Sequence, residues 1–172
     1  MEEIICEIPR TVRMVNTTDE FTFKPADGVH EFQREIEILA KLQRIAEHEP
    51  NIRTSRILRL VYWDDQESLL MGMLLERIGH RTLHDVVMNA SVPVAEKRRW
   101  IDQVDETVRQ LHEKGIVWGN AMLANVTINP SGHAILTDFG GGYTLGYVDR
   151  ELRETKEGDM QGLERMRSNL LS

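Results

Sequence analysis

Residues 117–126 read VWGNAMLANV, with two asparagines, Asn120 and Asn125, five positions apart. The segment just before, LHEKGIV, closes a helix. Over residues 94–113, Ile101, Val104, Val108 and Leu111 fall on one face, and Gly115 supplies the stop. The segments just after, VTINP and SGHAILTD, read as a short strand pair, and a glycine cluster follows at 140–142. Asp138-Phe139-Gly140 begins thirteen positions after Asn125, behind the apolar strand AILT. A lone Asp-Phe-Gly says little. At this distance from a five-spaced loop, itself placed after a helix end, it becomes a specific pattern.

Upstream, residues 11–16 (TVRMVN) and 20–24 (EFTFK) alternate apolar and polar and predict a hairpin. Pro25, Asp27 and Gly28 stop the second strand. Residues 29–48 then space Phe32, Ile36, Leu39, Leu42 and Ile45 by threes and fours, which predicts an amphipathic helix. Residues 57–63 and 69–77 predict two further strands, with Asp64, Asp65 and Gln66 at the turn. A short helix is expected over 82–89 and a final one over 158–171. Met71 and Met73 read as core or pocket lining. The six histidines lack metal-ligand spacing, and the pair His80 and His84 reads as a helix start rather than a site.

Taken together, the loop and the Asp-Phe-Gly element resemble the protein-kinase-like superfamily. The resemblance extends to short kinase-like proteins of filamentous fungi, which carry a similar Trp-Gly pair in this loop and a GGGYT run. It implies an α+β, truncated two-lobed kinase-like fold in one domain, 1–172. A small antiparallel sheet with one helix would make up residues 1–77, a hinge would lie near 75–79, and a mainly helical lobe would span 80–172. It also implies site residues. Lys24 would hold the α- and β-phosphates and Glu35 would pair with it. Leu75 would guard the back of the pocket, and backbone groups of Glu76 and Ile78 would meet an adenine. Asn125 and Asp138 would bind magnesium, a hard cation that prefers oxygen ligands. Asp159 would brace the loop, and Trp118, Phe139 and Leu39 would stack in the core. ATP and magnesium are the implied cofactors.

The departures from this pattern matter as much. Asn120 occupies the position of the catalytic base, and an amide neither takes a proton near neutral pH nor carries charge. Met122 stands where a lysine usually lies near the transferred phosphate, so a cation is missing where charge develops. Gly119 replaces the loop arginine that reads a phosphorylated segment, which argues against control by that modification. Residues 1–23 hold no glycine, so no glycine-rich loop precedes Lys24. Only twenty-one positions separate Asp138 from Asp159, which leaves little room for a peptide-docking segment.

The bulk properties set bounds. The net charge of −7 argues against general nucleic-acid or anionic-membrane binding. The single cysteine, Cys6, excludes an intrachain disulfide and reads as a small buried side chain. The acidic start and the absence of a long apolar run point to a cytoplasmic, intracellular protein. The leading expectation is a pseudokinase that holds a nucleotide or another small ligand between its lobes. The alternatives are a kinase fold reused for other small-molecule chemistry, with Asp138, Lys24 and Glu35 as acid–base groups, a slow atypical phosphotransferase, and a scaffold for a protein partner.

Overall fold

The computed structural model describes residues 10–13, 15, 16, 18–64, 68–79, 81–88 and 91–172. The expected burial of Cys6, the turn residues Asp65 and Gln66, and His80 lie outside them. The chain is mixed α and β, with four helices and two small antiparallel sheets among the described residues.

The hairpin forms from β1 (Thr11–Arg13) and β2 (Glu20–Pro25), with Thr11 opposite Thr22. β1 is shorter than the alternation in 11–16 implied. Asn16 lies in the left-handed region at φ 68°, so the chain is already turning there. After Gly28 (φ 70°), α1 runs Val29–Ala46. Its buried side chains are Phe32, Glu35, Ile38, Leu39 and Leu42, whereas Ile36 and Ile45 are only partly buried. The inward stripe is therefore rotated from the expected one and carries a carboxylate.

β3 (Ile57–Tyr62) and β4 (Leu70–Glu76) complete the first sheet in the order β1-β2-β4-β3. β4 lies between β2 and β3; Met73 is fully buried, whereas Met71, expected as core or pocket lining, is exposed. Ser68 donates its backbone N–H to the Asp64 carboxylate (3.0 Å), so Asp64 does sit at the turn.

β5 (Arg81–Thr82), β6 (Val126–Ile128) and β7 (Ala134–Leu136) form the second sheet. α2 (Leu83–Val87) is shorter than the 82–89 expected. Thr82 and Asp85 form a reciprocal capping box at its start. α3 (Val94–Glu113) has the predicted bounds and buries Ile101, Val104, Val108 and Leu111. It ends in a Schellman arrangement. Ile116 N–H donates to Leu111 O (2.9 Å) and Gly115 N–H to His112 O (3.2 Å), with Gly115 at φ 69°. α4 (Lys156–Leu171) begins two residues before its expected start, with Thr155 accepting Gly158 N–H as its cap.

One hydrophobic core runs from Leu39 and Leu42 of α1 through Met73 and Leu75 of β4 to Met166 and Leu170 of α4. Trp118, Phe139 and Leu39 all belong to it and are buried. Among the described residues no helix is long and apolar enough to cross a membrane.

The approach of α4 to residues 117–126 is close enough to depend on a glycine. A Cβ at Gly162 would lie 2.5 Å from Ala121 O and 2.6 Å from Ala121 Cβ. Gly162→Ala should therefore destabilise the protein by roughly 1–3 kcal/mol, the usual overpacking penalty, although alanine is the better helix former. Denaturant unfolding checks this, and a raised midpoint would contradict it.

Candidate functional site

β2, α1 and the turn after β7 bring three charged side chains together. Lys24 leaves β2 one residue before its end, on a strand held in register by Met73 of β4. Its Nζ forms an ion pair with Glu35 Oε2 and donates to Asp138 Oδ1 at 2.7 Å. Glu35 is essentially buried, and its other oxygen accepts Phe139 N–H (3.3 Å). Asp138 is the most open of the three, with a side chain 41 % exposed, so part of its carboxylate faces solvent. It sits at φ 57°, an unusual backbone conformation for a residue other than glycine. Residues held in that region cluster at functional sites.

The electrostatics follow from this packing. Burial disfavours the Lys24 ammonium, but Asp138 and Glu35 outweigh it and raise its pKa above the ordinary lysine value. Burial pushes the Glu35 carboxyl upward against the opposing pull of Lys24.

Residues 117–126 fold against this trio. Asn125, 9 % exposed, ends a short 3-10 turn (Leu123–Asn125), and its Nδ2 donates to Asn120 O (3.0 Å). Its backbone oxygen accepts both Thr137 N–H (2.9 Å) and Thr137 Oγ1 (3.0 Å), which fixes the residue before Asp138 to the loop. Trp118 Nε1 donates to Thr137 O (2.9 Å). Asp159, in the first turn of α4, accepts Trp118 N–H and Gly119 N–H and faces His112 Nε2, each at 2.8 Å. The expected bracing role is thus visible as geometry.

Asn120 and Met122 meet a residue that the sequence reading did not single out. Thr144 Oγ1 donates to Asn120 Oδ1 (3.0 Å) and lies 3.0 Å from Met122 Sδ. The run GGGYT therefore folds back onto Asn120 and Met122. Arg34 was likewise not singled out. Its guanidinium donates to Val117 O (2.9 Å), Trp118 O (3.2 Å) and Phe139 O. Neither residue has a local signature, since both contacts close over long sequence separations.

A cavity of about 480 Å³ opens between these elements. Lys24, Glu35, Leu75, Asn125 and Asp138 line it, and so does Arg10, tied to β2 through Phe23 N–H to Arg10 O (2.7 Å). Glu76 and Ile78 instead line a second cavity of about 610 Å³, with Arg53, Arg56, Arg77 and His133. Strand alternation accounts for the split, because neighbouring Leu75 and Glu76 face opposite sides of the sheet. The Glu76 amide already donates to Arg56 O (3.0 Å).

Among the described residues no cluster of three or more His, Cys, Asp or Glu side chains could hold a metal ion. An ion at Asp138 and Asn125 would need further oxygens from its ligand and water, as magnesium commonly does. No family model and no curated protein matches the sequence.

Proposed function

We propose that this is a two-lobed, kinase-like protein whose interlobe cleft binds a magnesium-complexed nucleotide without efficient phosphoryl transfer. One observation carries the reading. Lys24 Nζ bridges Glu35 and Asp138, and Asn125 shares their cavity. A strand lysine, a helix glutamate, a loop asparagine and an aspartate from four separate segments converge on a space of ligand size.

The residues fit the implied ligand. Asp138 offers an exposed carboxylate, and Asn125, with Nδ2 spent on Asn120 O, keeps Oδ1 for a cation. When bound, magnesium would neutralise phosphate charge. Lys24, oriented by Glu35, would hold phosphate oxygens, and Leu75 would bound the apolar end. Arg10 places a second cation on the same cavity, useful in a chain with no glycine-rich loop before Lys24.

The chemistry fails where proton transfer is required. Asn120 cannot act as a base, and its Oδ1 is engaged by Thr144. Met122 presents a thioether in place of a cation. The double substitution Asn120→Asp with Met122→Lys is expected to create magnesium-dependent ATP turnover absent from the native chain. General-base catalysis typically contributes about 10²–10⁴-fold. Equal, substantial turnover by the native protein and the double variant would overturn the impaired-transfer part of the reading.

A further inference from the structure

We infer that Arg34 is a positioning residue which, with Glu154, locks residues 117–119 and 139–142 in place.

Gly119 removes the side chain from the loop position, and Arg34 of α1 fills the space. A Cβ at Gly119 would lie 2.7 Å from Arg34 Nη2 and 3.1 Å from Cζ. The guanidinium gathers three backbone carbonyls, two from the loop and one from Phe139. Three of its five N–H donors are thereby used.

Glu154 anchors the far end of the second segment. Glu154 sits at φ 55°, and its Oε1 accepts Gly142 N–H at 2.9 Å. Gly141 has no room for a side chain, because a Cβ there would meet Glu154 Oε1 at 2.7 Å and Arg34 Cδ at 3.2 Å. Gly119, Gly141 and Gly142 all have positive φ, and a Cβ at Gly119 or Gly141 would collide with Arg34 or Glu154.

The lock acts on the cleft through one residue. Arg34 donates to Phe139 O, while its neighbour Glu35 accepts Phe139 N–H. Two consecutive residues of α1 therefore grip both polar groups of the residue after Asp138. The inference rests on the nucleotide reading only for its last readout.

The test is hydrogen exchange on the full chain and its Arg34→Met, Arg34→Lys and Glu154→Gln variants, followed by Mg-ATP titration. Arg34→Met should raise exchange at least tenfold in 117–119 and 139–142 relative to α3. Arg34→Lys should restore little of it, since a point ammonium cannot reach three carbonyls at once. Glu154 is exposed, so Glu154→Gln should fold and loosen 140–142 while sparing 117–119. Arg34→Met should also weaken Mg-ATP binding several-fold. Exchange that rises uniformly with α3, or stays unchanged, would overturn the inference. So would full rescue by lysine, or a Glu154→Gln protein as protected as wild type. No Mg-ATP binding by the wild type, with the exchange pattern as expected, would count against the nucleotide reading alone.

Discussion

Replacing Asp159 with alanine is expected to lower the unfolding free energy by about 3–5 kcal/mol, the range for breaking a buried charged network. The side chain is 1 % exposed and meets three groups, Trp118 N–H, Gly119 N–H and His112 Nε2. Alanine would strand two buried amides and leave the imidazole without its partner. At about 2–4 °C per kcal/mol for a chain of this size, the melting temperature should fall by roughly 6–20 °C. Asp159→Asn should fall between the two, since an amide oxygen can accept from only one side while its NH₂ faces a donor. Thermal unfolding measures both, and an alanine variant within about 1 °C of wild type would refute the bracing role.

The second large effect concerns Lys24. Lys24→Met should raise the Kd for Mg-ATP at least tenfold, because the cavity would keep Glu35 and Asp138 with no cation between them. The same substitution carries a pH signature. The Lys24 pKa in the folded protein lies above its ordinary 10.5. The ammonium's contribution to stability is therefore fully present below pH 10.5 and is lost as pH rises through the folded pKa. The gap in melting temperature between wild type and Lys24→Met should stay constant from neutral pH to about 10, then narrow in stronger alkali. A gap that widens there would contradict the ion-pair geometry.

How far the sequence could be read depended on whether a residue's role is local. The helix 94–113 was legible to the residue because its apolar spacing and its Gly115 stop are local signals. Lys24, Glu35, Asn125 and Asp138 could be named only through the kinase-like resemblance, and the structure gathers them around one cavity. The rotation of the α1 stripe was not legible. Ile36 and Ile38 lie on opposite sides of the helix, and it is Ile38 that turns inward, together with Glu35, which meets Lys24 and Phe139 N–H. Arg34, Thr144 and Glu154 stayed hidden for a related reason. Each looks like an ordinary surface residue until chain segments up to 105 positions away are brought beside it. Gly119 could be read as a lost arginine, yet nothing local announced that another arginine fills the gap.

The central claim is that the cleft beside Lys24 and Asp138 holds a magnesium nucleotide. Isothermal calorimetry of the full chain with Mg-ATP, repeated with Asp138→Asn, tests it most directly. The account predicts saturable heat for the native protein that depends on magnesium and disappears in the variant. No heat and no thermal shift for the native protein at millimolar Mg-ATP would contradict it.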